Sequence, residues 1–571
     1  MENKSSTAQS TQYCQLKEKL TCIISTEMKK HKITGVSIAV VDDGKLVWSE
    51  GFGYSNKEER VVATPNTIYR IGSITKVFTA TAIMKLVERG LLDLDQPVSE
   101  YLPEFNVKTR FAQSSPITIR DLMTHHSGLP CDNRNGFYSK SATEVPERFT
   151  SVLRYLNNTY TAYPNGLLFS YSNLGITLLG VIVERITGMR YEEYIELNIL
   201  KPLGMDQTSF EYSAGNNTSI SKGYSKRKGE YEVQMRDLPA GGLQSNALDM
   251  SKFLSFILGT SDNEPVLKKE TLHKMFEVQN MDNPIDFGFN IGLNWLLSWP
   301  SLDYAGKVAW HDGGTINFLS LLAIMPELGF GIIVLTNSER GVYLNHRVTD
   351  EALKYLVLMK NGIGVPQSNI PTNISITEKQ LKEVIGNYAT ASKGLLEISN
   401  KKDILKAKMD GKHLRLIPQS DGWFSLQLLL FRRIPIKLKQ LNNLRITVRQ
   451  TILGRVMGVE QLVGQNRFVQ VMGLEYSPTP TPQTWINAAG RYKTKELNQL
   501  INAIQMVYSK NGMLSLKASV RKLGNINFIL KPVSNSEAVI LGLGRFAGET
   551  VVLKESDGVL IISISGLDFV K

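Results

Sequence analysis

Cysteine is scarce in this chain of 571 residues, which holds only Cys14, Cys22 and Cys131. Three thiols cannot form a disulfide framework, so they point to a reducing, cytoplasmic setting. None belongs to a C-x-x-C pair, and the seven histidines never fall at H-x-x-x-H spacing, so no metal site is expected. A Walker loop and a dinucleotide G-x-G-x-x-G are both missing, which speaks against nucleotide cofactors, and no cofactor of any kind is expected. No apolar run approaches the roughly 18 residues of a membrane span. The opening "MENKSSTAQSTQY" lacks the apolar centre of a secretory signal.

Acidic residues are in deficit, with 53 Asp and Glu against 65 Lys and Arg, for a net charge of +12. The excess gathers in "FRRIPIKLKQLNNLRITVRQ", from Phe431, with Lys401, Lys402, Lys406 and Lys408 upstream. Such a segment could attract an acidic partner, but no nucleic-acid motif or aromatic stacking platform accompanies it. "IKLKQL" alternates with period two, so the charges read as the solvated face of strands, and no nucleic-acid partner is expected.

What is present is a globular composition, 42% hydrophobic and 21% charged, in a chain too long for one core. Residues 1–15 read as a polar, disordered tail. "GVSIAVVDDGKLVWSEGFGY" reads as a hairpin turning at Asp43-Gly44. Helical patterns follow, and "HDGGTINFLSLLAIMPELGFGIIVLTN" reads as further strands joined by "PELG". Strands at both ends with helices between predict an α+β domain over 16–362, an antiparallel sheet packed on helices. Residues 363–375 read as a Pro/Asn/Ser-rich linker. Beyond it "GNYAT" repeats as "GRYKT", and "VMGLEY" as "ISGLDF", about 100 residues apart. Two small all-β, barrel-like units over 376–480 and 481–571 are therefore expected.

Within "RIGSITKVFTATAIMKLVERG", residues 70–90, Ser73 and Lys76 open an apolar helix. Positions i and i+3 lie one above the other, about 5–6 Å apart at Cβ, so the Lys76 amine can reach the Ser73 hydroxyl. A serine hydroxyl becomes a nucleophile only when a neighbour takes its proton. A free lysine titrates near 10.4, and burial or the positive helix end would lower that value. The same spacing recurs at Ser219/Lys222, Ser225/Lys228, Ser399/Lys402 and Ser519/Lys522, so alone it is weak. Two further motifs give it meaning. "YSN", Tyr171-Ser172-Asn173, precedes an apolar helix, and "HDGG", from His311, opens an apolar strand.

These three motifs, in this order and on these elements, resemble the serine β-lactamase and penicillin-recognising hydrolase superfamily. "LMTHHSGLP", "YSNLGITLLGVIVERITG" and "AGGLQSNALDM" are similar to stretches of its class C-related branch, and the resemblance spans roughly residues 15–360. It implies a β-lactamase/transpeptidase-like catalytic domain with Ser73 as nucleophile and Lys76 and Tyr171 as a coupled proton-transfer pair, the tyrosine having the larger role. Asn173 would hold a substrate amide or Lys76. His311 would hydrogen-bond Tyr171 or, if protonated, meet a substrate carboxylate. Gly313 would let substrate approach the strand edge, and the amides of Ser73 and Gly314 would form the oxyanion hole. His125 and His126 correspond to a structural loop. "AGGLQS" implies a tight turn, with Ser245 capping the next helix.

The function implied is a serine hydrolase working through an acyl-enzyme on amide or peptide bonds of short peptides, with D-residues at the scissile bond. A carboxylesterase with the same set, then a β-lactamase, then a non-catalytic penicillin-binding-like sensor are the alternatives. His311 stands where β-lactamases carry lysine, and the His-x-Gly form is commoner in the superfamily's esterases and D-amino-acid peptidases. Relatives with appended barrels use them to shape the cleft or to form homo-oligomers. The expected partner is a small peptide or ester substrate.

Overall fold

All eight residues of the strand Gly35–Asp42 are buried, which requires cover on both faces of its sheet. In this computed structural model the cover is helical on both sides. The structure describes residues 2–571 except 113, 135–136, 140, 142–143, 212–218, 226–227, 260–263, 282, 367–370, 402–403, 433, 437–440, 442, 464–465, 495–500 and 521–523. The period-two stretch "IKLKQL" therefore falls largely outside the described residues.

Six antiparallel strands form the sheet, in the order Val61–Val62, Lys45–Asn56, Gly35–Asp42, Phe330–Thr336, Leu319–Met325, Ala309–Gly314. Alternation sorts its side chains between two cores. Val36, Ile38 and Val40 pack with Leu16, Leu20 and Ile24 of the helix Glu2–His31 and with Leu344 and Val348 of Val342–Asn361. Ala39 and Val41 face the larger core, where Val77 and Phe78 of the helix Thr75–Glu88 meet Leu178 and Ile182 of Asn173–Thr187. The expected hairpin turn holds, with Asp43 and Gly44 at φ 46° and 73°. The disordered tail expected over 1–15 does not, because the first helix begins at Glu2 and packs from Leu16 onward.

The helix Val342–Asn361 ends on left-handed Gly362, and a capping box on Thr377 starts the next helix, Glu378–Val384. Eight strands from Gly386–Thr390 to Asn466–Glu475 then close into a barrel, each pairing with the next and the last with the first. Ile434–Ile436 adds an edge strand. A second closed barrel runs from Gly490–Thr494 to Leu567–Val570. The repeated Gly-x-Tyr has the same task in both. The buried Tyr388 hydroxyl donates to Val384 O (2.9 Å) and that of Tyr492 to Ala488 O (2.6 Å), tying each first strand to a short preceding helix. Among the described residues no helix is long and apolar enough to cross a membrane.

Candidate active site

Ser73 lies in a single 3-10 turn, Gly72–Ile74, that feeds the helix Thr75–Glu88. Gly72 takes φ +53°, and a Cβ there would sit 2.7 Å from the Gly314 nitrogen, so glycine lets the turn rest against the strand Ala309–Gly314. Thr75 Oγ1 ties the turn by donating to Gly72 O at 2.7 Å, and Ser320 Oγ holds Ile71 O at 2.7 Å. Ser73 is thereby presented at the edge of a cavity of about 1380 Å³.

Lys76 is fully buried, and its amine donates to Ser73 Oγ at 3.2 Å and to the Ala240 carbonyl. Burial lowers its pKa to about 7, and the nearby Arg545 guanidinium adds to that shift. The Tyr171 phenol lies within interacting reach of the Ser73 side chain, and burial pushes its pKa far above the usual value. The Lys76 amine also sits 4.9 Å from the Tyr171 ring centre. Three separate segments thus bring an alcohol, an amine and a phenol to one point.

The strand Ala309–Gly314 divides its motif between two faces. Asp312 and Gly314 line the cavity, whereas His311 is 1% exposed, does not line it, and holds its Nδ1 2.6 Å from Asp312 O. Burial, with help from Lys76, holds the His311 pKa down to about 3. The imidazole is therefore neutral near pH 7, which removes the expectation of a protonated His311 meeting a carboxylate. Its ring lies 6.5 Å from that of Tyr171. Gly313 does not open a path for substrate as expected, because a Cβ there would lie 1.9 Å from Ile71 O. It is glycine so that the strand can press against the Ser73 turn.

Asn173 lines the cavity but donates its amide to Asp132 Oδ1 at 2.6 Å, a partner other than the expected Lys76. Ser172 caps the helix through Gly175 N, and its own amide donates to His125 Nδ1 at 3.2 Å. The His125 ring packs 4.5 Å from Tyr171, while His126 joins Thr124 O and Asp286. Both histidines position their neighbours. Asn246, not Ser245, caps the helix Ala247–Ile257 by accepting from Asp249 N; Ser245 Oγ pairs with Thr208 Oγ1. "AGGLQS" contributes the Ala240 carbonyl beneath Lys76 from the short helix Leu238–Gly241, with no left-handed turn at Gly241 or Gly242.

The sequence reading missed four charged groups that shape this pocket. Asp312 shares the open face with Gly314, and strand alternation was the available signal. Asp132 pairs with Arg134 (3.4 Å) and with Arg545 (3.5 Å), and its carboxyl stays low, at about 2, mainly through Arg545 and Arg134, which outweigh burial. Arg545 arrives from the second barrel, and residues 391–393 and 470–472 of the first barrel complete the cavity wall. Nothing local in the sequence marks these. Among the described residues no cluster of His, Cys, Asp or Glu is placed to hold a metal.

The Beta-lactamase family matches residues 20–354. The chain is 30% identical over 325 residues to "Protein flp" of Staphylococcus aureus (strain MRSA252), which covers 56% of this chain and 62% of that protein. It is 31% identical over 356 residues to "Beta-lactamase-like protein 4" of Dictyostelium discoideum, covering 57% and 60%. The chain therefore spans less than two thirds of the length of these curated relatives. Among solved structures it is similar to the octameric penicillin-binding protein homologue from Pyrococcus abyssi, with TM-score 0.54, 27% identity and coverage of 79% of this chain and 99% of that one. SurE shares the fold at TM-score 0.57 and 20% identity, covering 81% and 100%.

Proposed function

The chain belongs to the Beta-lactamase family, within the β-lactamase/transpeptidase-like serine hydrolases, and from that premise we propose that it cleaves amide bonds of short peptides through an acyl-enzyme on Ser73. The observation that carries the reading is the buried Lys76 amine 3.2 Å from Ser73 Oγ, with the Tyr171 ring 4.9 Å from the same amine.

The electrostatics favour a division of labour. With its pKa near 7, Lys76 is free amine in about half of the molecules at neutral pH, and that form takes the Ser73 proton as Oγ attacks the carbonyl. The developing oxyanion accepts from the backbone amides of Ser73 and Gly314, brought together by the Gly72 contact. Tyr171, held protonated by burial, donates to the departing nitrogen and is reprotonated from Lys76. Water then hydrolyses the acyl-serine by the reverse route. Asn173, fixed by Asp132, faces the substrate amide, and His311 supports this wall from beneath as a neutral group.

His311 in the place of a lysine supports D-residue peptides as substrates, and it supports short acyl esters as a second class handled by the same groups. On this reading the hydrolase unit runs over 16–362 and the barrel units over 376–480 and 481–571. The three free cysteines support a cytoplasmic location, and the octameric relative supports assembly into a homo-oligomer. A substrate panel tests the reading. Turnover of D-aminoacyl anilides but not their L-isomers is expected. Activity confined to short acyl esters would make the protein an esterase, and rapid nitrocefin hydrolysis a β-lactamase. No turnover of any of them would make it a binder.

A further inference from the structure

Residues 541–549 of the second barrel form a loop wedged between the other two units. Three glycines make the passage possible. A Cβ at Gly542 would meet Ala391 N at 2.7 Å, one at Gly544 would meet Val471 O at 2.9 Å, and one at Gly548 would meet Ala162 O at 2.5 Å. Leu543 and Ala547 are buried against Ala162, Tyr163 and Phe287 of the hydrolase unit and Val456 of the first barrel. Leu543 N donates to Met472 O at 3.3 Å, and nearby Arg134 N donates to Ser565 O at 2.7 Å. A loop held on both sides in this way presents a fixed side chain at its tip.

That side chain is Arg545. Its Nε lies 3.0 Å from Cys131 Sγ and its Nη2 3.5 Å from Asp132, and its guanidinium stands 5.9 Å from the Tyr171 ring centre. About half of the side chain (52%) remains open to the cavity. An arginine carries five N–H donors in a planar fork, and the contacts to Cys131 and Asp132 leave donors facing the space above Tyr171. The charge is only partly offset. Asp132 is the one ionised partner in contact, and it is shared with Arg134 and Asn173, while burial pushes the Cys131 thiol up to about 12, so it stays neutral. Asp312, on the open face of the strand, is the acid across the cavity, and desolvation raises its pKa; Glu549 of the same loop is buried on Ser565, and burial raises its pKa to about 7. His311 is neutral, as shown above. Arg545 is thus a permanent cation aimed into the cavity beside the reacting groups.

We propose that Arg545 is the receptor for a substrate carboxylate, so that the enzyme selects short acyl compounds bearing a free carboxylate next to the reacting carbonyl. The carboxylate belongs either to an acidic acyl group or to the chain end of the leaving group. This specificity rests on the serine hydrolase reading above, but it is tested apart from it.

Two readouts separate the claims. In the first, calorimetry on the Ser73→Ala protein compares N-acetyl-D-alanine with its uncharged amide, and 4-nitrophenyl hydrogen succinate with 4-nitrophenyl butyrate. The acid of at least one pair is expected to bind about 10–100-fold tighter than its neutral partner, the size of one charge-assisted hydrogen bond. Arg545→Ala should erase that difference, Arg545→Lys should keep part of it, and Arg545→Glu should reverse it. The second readout is the kcat/KM ratio of the two nitrophenyl esters in the protein with Ser73 intact. A ratio within one protein cancels any general effect of the substitution on folding or on Lys76. Equal affinity for acid and neutral partner in both pairs, or a preference that survives Arg545→Ala, overturns the proposal. Loss of all ester turnover with the binding preference intact would overturn the hydrolase reading and leave the carboxylate site standing.

Discussion

At the scale of single residues, the proposed chemistry turns on an amine that loses its proton at a pH where an ordinary lysine is still charged. Lys76 is lowered to about 7 by burial and by Arg545, and only its free form accepts the serine proton. The rate should therefore rise with pH, about tenfold per unit below 7, and level off above it, as a kcat profile would record. Removing the positive charge in Arg545→Ala relieves part of the depression, so the midpoint of that profile should move to higher pH. Lys76→Arg places a guanidinium that cannot release its proton, and kcat should fall about 10²–10⁴-fold. His311 should contribute no ionisation between pH 5 and 9, because its own pKa is near 3.

At the scale of elements, the tightest constraint is the contact between the Ser73 turn and the strand Ala309–Gly314. Gly313→Ala would drive a methyl into Ile71 O, which lies 1.9 Å from the Cβ position. A loss of about 1–3 kcal/mol is expected, with kcat falling as the turn carrying Ser73 shifts. Thermal unfolding and steady-state rates would register the two effects. Much at this scale was legible in the sequence. Asp43-Gly44 allows the left-handed pair that a tight hairpin needs, and Ser73 and Lys76 are brought together by helical spacing alone. The Gly-x-Tyr repeat announced two similar barrels. The "HDGG" strand was read less well: residues 311 and 313 share one face and 312 and 314 the other, so a reading that placed His311, Gly313 and Gly314 together in the cleft was at odds with the pleat. The Ser245 cap failed for a similar reason, since Asn246 one position later has the extended backbone from which a side chain reaches Asp249 N.

At the scale of the whole molecule, the cavity is closed by three units, and its wall could not be read from any one of them. Arg545 meets Cys131 across 414 positions of chain, and its loop looks like an ordinary glycine-rich turn in the sequence. Docking of the second barrel is therefore a condition of the site as well as of shape. Gly548→Val, whose side chain would collide with Ala162, should loosen that docking and lower kcat/KM at least tenfold for carboxylate-bearing esters, while circular dichroism still reports the strands of both barrels. The central claim nevertheless reduces to one atom, the Ser73 oxygen. Intact-mass analysis of the full protein after a fluorophosphonate probe tests it most directly. A single adduct that disappears in Ser73→Ala is the expected result. An unlabelled wild type, or an adduct that persists in the variant, would contradict it.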